Sequence, residues 1–297
     1  MGPGRRVSQW LSRAYVHRDE IKKLDPAVDY LRIYQLTTLY DFIADAKMGL
    51  NLAFYRVFAV PHIAELLVHT GEMTGKPAKR SYDTALLMYE LIAYGLDDPQ
   101  GREAVRIINR AHRPWPISDD DFRYVLAAFI VVPMRWIEHR GWRPLLPAER
   151  EASAAFYRDV ARHMNIPNPP ETYAAAVALF DDYERRHLGP SAAGKQLMQA
   201  TQKVIVRKVP AALHGVAPAL TSALLDDSKL TDALGLRRPA LVNRILVNLV
   251  YRARNVRTRF RPAATEPWFV TGRPVYEVYP AGYQLSDLGP FEDSPAQ

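Results

Sequence analysis

His112 closes the stretch GREAVRIINRAH (101–112) and shares an apolar helical stripe with Val105 and Ile108. An imidazole on such a face either fills the core with a hydrogen-bonded ring or serves as a ligand to a metal or cofactor. One helix upstream, KRSYDT (79–84) puts Arg80 and Thr84 at i and i+4, on one face. The stripe continuing from Thr84 is apolar, through Leu87 and Leu91. A guanidinium and a hydroxyl at the head of an apolar stripe, near an inward histidine, suit an apolar pocket with few polar groups. The RPWP corner that follows ends the helix and adds an aromatic plane, Trp115.

Two weaker groupings stand beside these. HIAELLVH (62–69) places His62, Glu65 and His69 on one helical face, a spacing able to hold a metal. The same spacing describes a polar edge with a Glu–His pair, and that is the reading adopted. ERRH (184–187) matches the Glu-x-x-His element of di-iron bundles, which need a second copy. The chain has none, so Glu184 and His187 read as a helix end. There is no phosphate-binding glycine loop, G-x-S-x-G elbow, H-E-x-x-H or EF-hand loop. The chain has no cysteine, which excludes disulfides, thiolate ligands and thiol nucleophiles. Iron or haem would need His, Tyr, Met or carboxylate ligands.

The elements that must position these residues are helical. The spacing predicts helices at 83–95, 101–112, 118–132, 147–164, 171–187, 192–208, 210–225 and 239–253. Ser118 is the expected N-cap of the third, with Asp121 at the capping-box position. Only 268–280 looks extended. Short Pro- and Gly-rich turns separate the helices, with no repeat and no long linker. The reading is a single all-α domain: an irregular N-terminal arm at 1–29, a helical domain at 30–262 and an irregular tail at 263–297.

The net charge is +7, and YRARNVRTRFR (251–261) concentrates basic residues. Such a run either attracts nucleic acid, anionic lipid or acidic cofactor groups, or is a solvated helix end. No signal peptide or transmembrane segment is read. The longest apolar run, 124–137, is broken by Pro133 and Arg135, so a soluble, cytoplasmic protein is expected.

Several ordered blocks resemble the MpaB-type oxygenases, whose superfamily includes the rubber oxygenases. They are FYRVFAVPHIAELLVHTGEM, KRSYDT, the G-x5-G-R-x-A-V-R-x-x-N-R-x-H element ending at His112, ISDDDFRYVLAAFIVVPMRWIEHRGWRP and the YPAGYQLSDLGP tail. The likeness to the rubber oxygenases is more distant and rests on Arg-x-x-x-Thr followed by the histidine. The resemblance implies a globin-like helical core holding haem b. It implies His112 as the axial ligand to iron, with Arg80 and Thr84 on the distal side. Rubber oxygenases carry a lysine just before that threonine; here the position is Asp83, so an open or water-bound iron is implied instead. The implied partners are O2 and an apolar, isoprenoid-like olefin cleaved at its double bond, with no nucleic acid. Arg56, Arg106, Arg113, Arg135 and the 252–261 cluster are candidates for the haem propionates. Fungal members are anchored by an N-terminal membrane segment, which this sequence does not show. A non-catalytic haem sensor or carrier is the alternative, and a basic helical protein that binds nucleic acid or a membrane surface is a further one.

Overall fold

A computed structural model describes residues 14–207, 211, 214–225 and 227–289. Where apolar residues recur every three or four positions, helices form and bury that stripe. In chain order they are α1 (Val16–Ile21), α2 (Tyr30–Gln35), a π-helical turn (Leu36–Asp41), α3 (Ile43–Phe58), α4 (Pro61–His69), α5 (Glu72–Gly75), α6 (Pro77–Tyr94) and α7 (Pro99–His112). They continue with α8 (Asp119–Arg140), α9 (Pro147–His163), α10 (Tyr173–His187), α11 (Ala192–Arg207), α12 (Ala217–Leu225), α13 (Ser228–Ala233) and α14 (Leu241–Arg259). A 3-10 turn at Leu285–Asp287 ends the described tail. No strand occurs among the described residues, so the fold is all-α as expected.

The centre is the crossing of α3 and α8. From Leu126 to Met134, α8 is buried on every side, which is the mark of a core helix. The crossing is closest at Gly49, where an added Cβ would lie 2.4 Å from the Cα of Pro133. Pro133 sits inside α8 without ending it, so this helix runs eight residues past the expected 132. Ser118 caps it as expected, accepting from Asp121 N–H at 3.1 Å. Among the described residues no single helix is long and apolar enough to cross a membrane; α3 and α4 together reach that length and composition but are bent by 96° at their junction.

Other boundaries shift for local reasons. Helix α6 starts at Pro77, not 83, because proline suits the first helical position. Helix α14 runs on to Arg259 rather than 253. The expected helix at 210–225 is seen from Ala217, and residues 208–210, 212, 213 and 226 lie outside the described set. Of the expected irregular arm, residues 1–13 also lie outside it, while α1 is helical and buries Ile21. The extended reading of 268–280 is corrected. It is a chain of turns with one isolated bridge, Val275 to Tyr279. Pro274 and Pro280 cannot donate to a ladder, and the polar side chains nearby bond to α6 instead.

Candidate functional site

Helices α6 and α7 form a tight hairpin, and the turn between them sets the site. Gly95 ends α6 at φ +74°, a conformation that favours glycine. Gly101 packs so close that a Cβ would fall 1.6 Å from the Gly95 carbonyl oxygen. Asp98 caps α7 by accepting from Gln100 N–H at 2.8 Å, with Pro99 in the first turn. Arg80 lies fourteen residues before the end of α6, and His112 thirteen after the start of α7. At about 1.5 Å per residue, both stand about 20 Å from the turn, at the same level.

The His112 ring is held by its own helix. Nδ1 lies 2.8 Å from the Ile108 carbonyl, which only accepts, so Nδ1 carries the proton and Nε2 presents a lone pair. Nε2 has no hydrogen-bond partner among the described residues. Burial pushes the His112 pKa down; the Ile108 bond opposes this, and the nearby Arg80 charge adds to it. The ring is therefore neutral at pH 7. It faces Phe122 at 5.7 Å and opens into a groove of about 610 Å³, bordered also by Arg106, Arg110, Arg113 and Met164.

Arg80 is partly buried and donates to the Thr84 hydroxyl, which in turn donates to the Arg80 carbonyl at 3.1 Å. Burial lowers the Arg80 pKa, while the more distant charges of Asp83 and Glu72 oppose the shift. No carboxylate lies within ion-pair distance of this guanidinium among the described residues. Thr84 borders an apolar cavity of about 250 Å³, walled by Phe54, Phe58, Phe129, Met73 and Met88. The structure thus brings Arg80, Thr84 and His112 to one end of the hairpin. His112 and Thr84 open into two different spaces.

Asp83 faces elsewhere. It is 3% exposed and accepts from Lys79 Nζ at 2.8 Å, Tyr279 O–H at 2.6 Å and Gly289 N–H at 3.1 Å. Farther along α6, buried Glu90 accepts from Tyr283 O–H at 2.7 Å and Thr271 O–H at 2.8 Å. One face of α6 therefore carries the site, and another straps down the C-terminal tail. Asp83 has a structural task that no local pattern announces.

The other candidates resolve into structural pairs. His62 bonds to Asp121 at 2.8 Å rather than to Glu65, and Tyr183 donates to the same carboxylate. His69 packs edge-on against Trp115. Glu184 accepts two bonds from Arg56 at 2.8 Å and one from Tyr124, and His187 lies against Tyr183. Among the described residues no cluster of three or more His, Asp or Glu side chains is arranged to hold a metal. Of the arginines considered for acidic groups, Arg56 is taken by Glu184 and Asp227, Arg135 by Asp181 and Arg254 by Asp45. Arg106, which is paired with Glu103, and Arg113 border the His112 groove, as does Arg110.

The family model described as "ER-bound oxygenase mpaB/B'/Rubber oxygenase, catalytic domain" matches residues 44–255. The ER-bound oxygenase mpaB of Penicillium roqueforti (strain FM164) is 27% identical over 199 residues, 60% of this chain and 65% of that protein. The ER-bound oxygenase mpaB' of Penicillium brevicompactum is also 27% identical over 199 residues, 46% of its length. The chain therefore spans less than two thirds of these relatives. The solved structure of latex clearing protein LCP in the closed state is similar with a TM-score of 0.51 at 16% identity, over 88% of this chain and 70% of that one. At that identity the likeness concerns the helical fold.

Proposed function

We propose, from the premise that this chain belongs to the mpaB/B′ and rubber oxygenase catalytic-domain family, that it is a haem b-dependent oxygenase. Its substrates on this reading are O2 and an apolar, isoprenoid-like olefin. We assign the activity to the helical domain at 30–262, with His112 as the iron ligand and Arg80 and Thr84 as the oxygen-side residues. One observation carries the reading: a neutral imidazole whose Nε2 has no partner among the described residues stands level with an arginine that, among the same residues, has no carboxylate partner.

The donor set suits haem b. A histidine ligand to iron is a neutral ring whose second nitrogen is held by another group, here the Ile108 carbonyl. The propionates are carboxylates, and Arg106, Arg110 and Arg113 border the groove that would receive them. When bound, haem would supply the oxygen chemistry that no side chain of this protein offers.

The chain's own residues have three tasks in this scheme. Ile108 fixes the tautomer and tilt of His112. Arg80 directs guanidinium N–H donors at negative charge that gathers in a water-poor pocket, where one such donor is worth about 2.7–4 kcal/mol, and Thr84, whose hydroxyl accepts from Arg80 and donates to the Arg80 carbonyl, holds that side chain in place. The phenylalanines and methionines behind Thr84 hold an olefin and exclude water. Thr84 borders that cavity while bonded to Arg80, so it links the oxygen side to the olefin side.

An absorption spectrum of the full chain loaded with haem tests the cofactor. The expected result is a Soret band that collapses or shifts in His112→Ala, and a wild type without any Soret band overturns the reading. Turnover of a prenylated probe then tests the chemistry. An intact Soret band with no oxygen uptake on any unsaturated lipid would make the protein a haem carrier instead.

A further inference from the structure

Helix α14 presents its apolar side outward. Beside its packing along α12, polar contacts anchor it: Arg254 donates to Asp45 at 2.8 Å and to the Arg140 carbonyl at 3.0 Å. Asn255 donates to the Arg140 and Gly141 carbonyls, and Arg259 to the Trp142 carbonyl. Tyr251 adds an edge contact on Trp136, and Val247 is the one buried apolar residue of this helix among those described. On the opposite side eight large apolar residues from Leu241 to Phe260, Leu246 and Val250 among them, are 49–72% exposed. At 100° per residue they span an arc about 180° wide. Exposed Arg252 and Arg257 fall just inside its two edges. Residues 233–265 contain eight arginines and no aspartate or glutamate.

A single exposed leucine is ordinary, but a continuous apolar stripe fixed outward by polar anchors marks a contact surface. We propose that α14 docks the protein on an anionic lipid bilayer. The apolar stripe enters the boundary between headgroups and acyl chains, and the flanking arginines meet lipid phosphates. The charge pattern selects this occupant. A second copy meeting the first across a two-fold axis would bring arginines together with no carboxylate from this segment to offset them. Nucleic acid would satisfy the arginines but leave the apolar stripe in water.

Co-sedimentation of the full chain with vesicles tests the proposal. The chain is expected to bind vesicles of equal parts phosphatidylcholine and phosphatidylglycerol, more weakly as salt rises, and to bind phosphatidylcholine alone far less. Ile245→Glu with Leu249→Glu is expected to lower the partition at least about tenfold, with an unchanged circular dichroism spectrum because both side chains are exposed. Arg252→Gln and Arg257→Gln are expected to lower it about fivefold each at low salt. No wild-type binding, or equal binding by the glutamate variant, overturns the proposal. So does a lipid-free dimer, seen by light scattering, that the glutamate variant dissolves, because the stripe would then be a contact between copies.

Discussion

Arg143 and Arg80 both lose water on folding, yet the protein treats them in opposite ways. Arg143 is fully buried, and every nitrogen finds an acceptor. It reaches Asp41 at 2.6 and 3.0 Å, Glu149 at 2.8 Å twice and the Pro144 carbonyl at 3.1 Å. Burial works against its charge, but Glu149 and Asp41 outweigh that and hold its pKa above the ordinary value. Among the described residues Arg80 has one side-chain partner, a neutral hydroxyl, and burial pulls its pKa down. A charge matched in place fixes the fold; a desolvated charge left partly unmatched costs stability and suits the site role proposed for Arg80.

The largest test of that contrast is Arg143→Met. It strands the carboxylates of Asp41 and Glu149 in the core and is expected to destabilise the protein by about 3–5 kcal/mol in urea unfolding. Arg80→Met should leave stability within about 1 kcal/mol, because no carboxylate loses its partner. The same variant, loaded with haem, is expected to keep its Soret band and lose turnover by about a hundredfold or more. If both variants lost stability equally, the distinction between the two arginines would fail.

The sequence makes one of these regions legible and hides the other. Arg80, Thr84 and His112 lie on two consecutive helices, so periodicity and a short glycine-bounded turn are enough to bring them level. The helix expected at 147–164 is found at 147–163, and the cap at Ser118 follows from local chemistry. The Arg143 node has no such period. Asp41 is 102 residues from Arg143, and its geometry depends on a π-helical turn that no pattern announced. From the sequence Arg56 reads as open to acidic groups because its partners Glu184 and Asp227 lie 128 and 171 residues away. Long-range pairing decides which arginines are spent on the fold, and one-dimensional spacing carries none of it.

The tail strap sharpens the comparison at a smaller scale. Tyr279 reaches Asp83 across 196 residues and leaves that carboxylate occupied one position before Thr84. Tyr279→Phe removes the hydroxyl while Lys79 and Gly289 N–H still bond to Asp83. The expected cost is about 1 kcal/mol of stability. Limited proteolysis should cut the tail sooner than in the wild type. An unchanged proteolysis rate would mean that the tail is held by its buried aromatic side chains alone.

The smallest expected effect concerns protons on His112. Its pKa is pushed below the ordinary 6.5, first by burial and then by the Arg80 charge, so the folded state prefers the neutral ring. Above pH 6.5 the ring is neutral in both the folded and the unfolded chain, and it contributes no pH dependence. Below that value the unfolded chain takes up the proton first, so this residue makes stability fall as the pH drops, levelling off once the folded ring is also protonated. His112→Gln should flatten that part of the stability curve of the haem-free protein between pH 6.5 and the acid transition. Arg80→Met should flatten it only in part, because burial remains when the neighbouring charge is gone. Urea unfolding across this pH range measures both. A His112→Gln curve parallel to the wild type would place the ring in water, against the buried site described here.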